Sequence, residues 1–296
     1  MTNDTNENED LAKEIEQIIS AHPHLENLLK AFAPLLLEKN QWLLDTAVDP
    51  RVFPIDPLRY ADGVPLDQQH QLFLEDDPWG SAGWSAAKSI AQGFPHFSKD
   101  MEVLLGRFTE GKYDDICLFF THGQEADEQL IDKAAALGIS PTSLHLFLRV
   151  LNRFMLTKKA RDMKMELAAH AWTKGYCPVC GGFPHLAILG DKGQRELQCA
   201  DCGHAWTFSR LTCPYCNHED PQNTNIFFIE GQPEDTAFTC DKCRRYLLTA
   251  NRSASLKHPP ADLIAMGLIH LDVILQEKDF RPMAECEWNG FPSSKK

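Results

Sequence analysis

Long apolar runs are missing from this sequence. No stretch approaches the roughly 18 to 20 residues that a bilayer-spanning helix needs, so no membrane partner is expected. Basic charge is scarce as well. Twenty-nine Lys and Arg stand against 42 Asp and Glu, a net charge of −13 that repels a polyanion. Residues 171–250 hold seven Lys/Arg and nine Asp/Glu, so no local basic patch offsets that balance and no nucleic-acid partner is expected. There is no P-loop, GxSxG, HExxH or GxGxxG, and no catalytic residue is assigned. The polar, acidic start MTNDTNENEDLAKEIEQ lacks the basic and apolar segments of a secretory signal, which points to a cytoplasmic protein.

What is present is cysteine in a particular order. Eight of the ten cysteines form Cys-x-x-Cys pairs: Cys177/Cys180, Cys199/Cys202, Cys213/Cys216 and Cys240/Cys243. A reducing compartment does not favour structural disulfides, and two sulfurs on one tight turn face a common point, so metal ligation is the natural reading. The inserts after Cys180 and Cys216 each carry two strand-like segments around a turn, as a zinc-ribbon or rubredoxin hairpin requires, whereas the gap between Cys202 and Cys213 has room only for a strand and a link. The spacing therefore favours Cys177, Cys180, Cys199 and Cys202 as one site and Cys213, Cys216, Cys240 and Cys243 as the other. Interleaved pairing is the alternative.

Four thiols with pKa near 8.5 cost roughly 8 kcal/mol to ionise at pH 7. Structural zinc binding still nets roughly 10–16 kcal/mol, so modules this small can be held by their metal. Four thiolates fill a tetrahedral ion and leave no position for substrate, which disfavours hydrolysis. Zinc and iron both suit such a site. Glycine follows both knuckles of the first module (CPVCG, CADCG) and favours iron there; Asn217 and Arg244 stand at those positions in the second. Lys174, Lys192, Arg195, Lys242, Arg244 and Arg245 are near enough in sequence to offset thiolate charge. His185, His204 and His218 are weaker ligand candidates. Cys117, in an apolar run, reads as a core thiol, and Cys286 as a more exposed one.

The rest of the chain sets an α+β multidomain fold: an all-α N-terminal domain, two small rubredoxin-like or zinc-ribbon modules, and a C-terminal helix. Residues 1–10 read as a disordered tail. Residues 11–173 read as the helical domain, with apolar three-to-four spacing at Leu11, Ile15, Ile18, Leu25, Leu28 and Phe32 and a long stripe from Leu144 to Met155. Ser140-Pro141 fits a helix start. Residues 48–95, rich in Pro, Asp and Gly, read as a partly irregular connection with a short helix or two. Residues 174–212 form the first module and 213–296 the second, ending in a helix from Pro260 to about Glu277.

A helical N-terminal part followed by CPVCGG, CADCGH, CPYCNH and CDKCRR, then a closing helix, resembles the FdhE-type formate dehydrogenase accessory proteins. The resemblance implies a cytoplasmic, non-enzymatic factor needed to mature formate dehydrogenase, which binds the catalytic subunit. It also implies two tetrathiolate-bound ions, Fe or Zn, on the eight knuckle cysteines, in a structural or redox-sensing role. It leaves self-association open. The competing readings are a rubredoxin-like one-electron redox protein and a zinc-ribbon nucleic-acid-binding protein.

Overall fold

A computed structural model of the chain describes residues 4–51, 53–121, 127–190, 193–229, 232–252 and 259–290. The polypeptide divides into two units, Met1–Arg51 with Gln71–Asp162, and Val52–His70 with Met163–Lys296.

The first unit is helical. Helix Asp4–Ala21 takes in residues 4–10, the stretch read as a disordered tail. Its polar start is held by side-chain bonds: Asn8 donates to Gln41 and accepts from Asn40 on the next helix, Glu26–Asp45. The long stripe behaves as its periodicity requires, since Leu144, Phe147, Leu148, Leu151, Phe154 and Met155 of helix Pro141–Asp162 are all buried. Ser140 caps that helix, its Oγ accepting from the Ser143 amide at 3.0 Å. The helix stops at Asp162 rather than continuing to Trp172. Arg161 in its last turn donates to the backbone carbonyls of Leu43 and Thr46, which ties this helix end to the C-terminal end of helix Glu26–Asp45, where cations are favoured.

Helix Trp79–Gly93 (WGSAGWSAAKSIAQG) lies in the stretch 48–95, read as a partly irregular connection with a short helix or two, and at 15 residues it is longer than that reading foresaw. Its glycines weaken the helical signal, yet close packing demands them. A Cβ on Gly83 would sit 2.0 Å from the ring of Phe108. Ala82, Ala86, Ala87 and Ile90 line the same buried face.

The second unit is built on one sheet. Its strands are β1 (Pro184–Leu189), β2 (Arg195–Cys199), β3 (Ala205–Phe208), β4 (Thr224–Ile229), β5 (Gln232–Cys240), β6 (Arg245–Asn251) and β7 (Arg281–Pro282), in the order β3-β2-β1-β6-β5-β4, with β7 against β6. The strand-like segments of the sequence, His185–Leu189, Arg195–Cys199, Ala205–Ser209, Asn225–Ile229, Thr236–Thr239 and Tyr246–Thr249, coincide with β1 to β6. What the sequence did not reveal is the parallel pairing of β1 with β6 (Leu186 opposite Leu248), which joins the hairpins of the two knuckle modules into one sheet. Leu186, Ala187, Leu247, Leu248 and Ala250 are buried there, under helices Ala261–Gly267 and Ile269–Glu277. The closing helix is therefore two, broken at Leu268.

Residues 53–70 also belong to this unit. Asp56 caps helix Pro57–Asp62 by accepting from the amides of Leu58 and Arg59. The amides of Leu66 and Asp67 donate to the carbonyls of Pro178 and Val179 at 2.9 Å, laying this segment along the first knuckle.

Candidate metal centres

Each knuckle is one local solution used four times. The first cysteine's amide donates to the carbonyl five residues on, and its carbonyl accepts from the amide four residues on. The bonds are Cys177 to Gly182 (2.8 Å) and Gly181 to Cys177 (3.0 Å) in the first knuckle, Cys199 to His204 (3.0 Å) and Gly203 to Cys199 (3.2 Å) in the second, and Cys213 to His218 (2.8 Å) and Asn217 to Cys213 (2.9 Å) in the third. The fourth is the β5–β6 turn, where Cys240 pairs with Arg245. A turn of this kind needs a left-handed residue after the second cysteine. Gly181 (φ 71°), Gly203 (φ 67°), Asn217 (φ 55°) and Arg244 (φ 56°) all adopt it. The glycines that favoured iron at the first site thus mark no difference in backbone, and conformation does not separate the two sites. Asn tolerates this region. Arg does so at a cost of roughly 1–2 kcal/mol, and here its guanidinium lies 3.8 Å from the Phe280 ring centroid and donates to the Lys278 carbonyl.

The sulfurs converge in the consecutive arrangement, not the interleaved one. Cys177, Cys180, Cys199 and Cys202 form one cluster and Cys213, Cys216, Cys240 and Cys243 the other, each with all ligand atoms within 4.8 Å of one another. In the first, Cys177 lies 3.5 Å from Cys202 and Cys180 lies 3.4 Å from Cys199. In the second, Cys213–Cys243 is 3.8 Å and Cys216–Cys240 is 3.7 Å. Disulfide sulfurs would be about 2.05 Å apart. A tetrahedron with M–S bonds near 2.3 Å requires edges of about 3.8 Å. The second cluster matches that figure and the first is slightly tighter, so both donor sets fit a tetrahedral ion.

Burial differs between them. Three of the four sulfurs of the first cluster are buried, and two of the second, with Cys216 and Cys243 half-exposed. Burial raises the thiol pKa of Cys177 and Cys202, and brings Cys213 to about 11. A cation entering either cluster displaces protons that these thiols would otherwise keep. The amide of Val179 points at Cys177 Sγ, 3.4 Å away.

The histidines stand aside from both clusters. Buried His185 places Nδ1 3.0 Å from the Gln198 carbonyl oxygen and Nε2 3.4 Å from Asp262. His204 is driven down to about 4 by burial, so it is neutral. His218 meets Lys242 at 3.5 Å. Cys117 is a core thiol raised to about 12 by burial. Cys286, expected to be exposed, is 4% exposed, its amide donating to Asn289 Oδ1. Of the basic residues expected to offset thiolate charge, Lys192 lies outside the described residues, Arg245 stacks 4.0 Å from the Tyr215 ring centroid, and Lys174 and Arg195 line a cleft beside the second cluster. The sequence also did not single out Asp272, a carboxylate with no solvent exposure that accepts from the Tyr246 hydroxyl at 2.6 Å. Its only trace was an acidic residue among the apolar positions Leu271, Val273, Ile274 and Leu275 of that helix.

Among the described residues no single helix is long and apolar enough to cross a membrane. No family model matches the chain. Curated relatives do. The FdhE homologue of Aquifex aeolicus is 30% identical over 156 residues, 51% of this chain and 54% of that protein. The FdhE homologue of Haemophilus ducreyi is 29% identical over 129 residues, 42% of this chain and 41% of that protein. The matches thus span about half the length of those relatives or less. In fold, the crystal structure of the FdhE protein from Pseudomonas aeruginosa matches with a TM-score of 0.57 at 20% identity, over 93% of this chain and 92% of that one. The chain is thus similar in sequence to several FdhE homologues over about half of its length or less, and 93% of it shares the fold of a solved FdhE protein.

Proposed function

We propose that this chain is a non-enzymatic, cytoplasmic maturation factor for formate dehydrogenase that docks the enzyme's catalytic subunit. The eight knuckle cysteines hold two metal ions, zinc or iron, that stabilise the docking unit. The observation that carries the reading is the pair of convergent tetrathiol clusters built into one sheet. Four sulfur donors saturate a tetrahedral ion, which suits it to holding loops in place and leaves no site for substrate. The formate dehydrogenase assignment comes from the resemblance to the FdhE family.

The test is deletion of the gene in the native host followed by a formate dehydrogenase assay. Activity should fall and return on complementation, and the catalytic subunit should co-purify with the tagged chain. Undiminished activity in the deletion strain would refute the role. The Val179 amide aimed at Cys177 Sγ supports a second reading for the first cluster, one-electron storage on iron, because amide–sulfur hydrogen bonds tune the potential of iron–thiolate centres. A red protein bleached by a reductant would favour it; a colourless zinc protein would exclude it.

A further inference from the structure

Beside the second cluster the sheet unit opens into a cleft of about 580 Å³, within the range of small-molecule sites. Its charge runs against that of the chain. Among the described residues Lys174, Arg195 and Arg210 line it and one carboxylate, Glu219, does so, in a protein of net charge −13. Trp172 and Phe208 supply aromatic walls. Glu219 is engaged with the Thr212 hydroxyl at 3.2 Å.

Arg195 is the unusual member. It is 4% exposed, and arginine is rarely buried without a carboxylate partner. Its Nη2 donates to the carbonyls of Ser209 and Thr212, which aligns the guanidinium, and its faces lie 5.4 Å from the ring centroids of Phe208 and Phe238. Its buried Nε has no hydrogen-bond partner, and among the described residues neither Arg195, Arg210 nor Lys174 has an ion-pair partner. Arg210, in the link after β3, reaches toward the β1–β2 turn, its Nη1 2.9 Å from where a Cβ on Gly193 would be, so a side chain there would displace it. Burial, with the like charge of Arg210 added, lowers the pKa of Arg195 to about 10, and Cys213 offsets only part of this. Two guanidiniums and an ammonium lining one cleft attract an anion.

We propose that this cleft is a binding site for an oxyanion, a phosphate or carboxylate group, on a small organic ligand whose remainder lies against Trp172 and Phe208. The cleft is larger than a bare ion requires, and with both Nη2 protons given to the Ser209 and Thr212 carbonyls, Nη1 is the end of the Arg195 guanidinium left to an oxyanion, beside Arg210 and Lys174. This site is separate from the metal clusters and does not depend on the maturation role.

The test uses the full, metal-loaded chain titrated with inorganic phosphate and, separately, with citrate, each against sodium chloride of equal ionic strength. Calorimetry and the unfolding temperature are the readouts. Saturable binding of either anion supports the site, and which of the two binds assigns the anionic group as phosphate or carboxylate. Arg210→Glu, on an exposed residue, should weaken binding at least about tenfold with metal content unchanged. Lys112→Glu, the same change of charge in the helical unit, should leave binding as it is. No response to either anion beyond that to chloride would overturn the proposal. So would Arg210→Glu binding like the parent chain, or Lys112→Glu weakening binding as much.

Discussion

Asp272→Asn isolates one buried charge and a pH dependence with a definite sign. Asp272 sits in the first turn of helix Ile269–Glu277 with no solvent exposure. One carboxyl oxygen accepts from Tyr246, and the other is buried without a hydrogen-bond partner. Burial therefore raises its pKa from 3.8 to about 7, against the smaller opposing effect of the tyrosine bond. A raised carboxyl pKa means that the folded unit holds its proton after the unfolded chain has released it. Stability is then greatest below the unfolded pKa, falls as pH rises, and levels off above about 7. Each pH step in that window lowers stability by about 1.4 kcal/mol. Between pH 5.5 and 8 the loss attributable to Asp272 is about 2 kcal/mol, since the folded group is fully ionised only above pH 7. The asparagine variant cannot ionise and should lack this component. The assay is urea unfolding of the metal-loaded protein across that pH range, followed by release of metal to a coloured chelator, which reports the sheet unit alone. Thiolate protonation affects both proteins alike and cancels in their difference. The variant should gain about 2 kcal/mol on the parent from the acidic to the alkaline end. Parallel pH profiles would show that Asp272 is ionised throughout and would refute the reasoning.

Two further outcomes test the clusters and the helical packing. Cys202→Ser and Cys243→Ser should each lower the metal content from about two ions per chain to about one, because each removes one ligand from a different tetrahedral set. The far-ultraviolet signal of the helical unit should survive both; loss of both ions on either change would mean that the clusters are not independent sites. Gly83→Ala should destabilise the helical unit by about 1–3 kcal/mol, although Gly→Ala in an open helix stabilises by about 1 kcal/mol. The added methyl would fall 2.0 Å from the ring of Phe108, which is held by stacking on Tyr113 at 4.9 Å. An unchanged or raised unfolding temperature would contradict this packing.

The sequence by itself determined whatever depends on neighbours along the chain. Knuckle cysteines two apart, hairpin-length inserts and an apolar stripe at helical spacing express local geometry. They led to the α+β layout, the six strands and the consecutive grouping of sulfurs that the structure shows. Local signals misled where packing between distant segments decides the conformation. Glycines that argue against a helix are what let Trp79–Gly93 pack against Phe108. The left-handed turns at Asn217 and Arg244 have the backbone form of their glycine counterparts because the knuckle hydrogen bonds and, for Arg244, the Phe280 ring hold them there. Only the tertiary structure decided that β1 runs parallel to β6, since a parallel pair joins strands that no short turn connects. The same holds for the burial of Asp272 and Arg195. A residue's charge is written in the sequence, while its distance from water and from opposite charge is set by everything that folds around it.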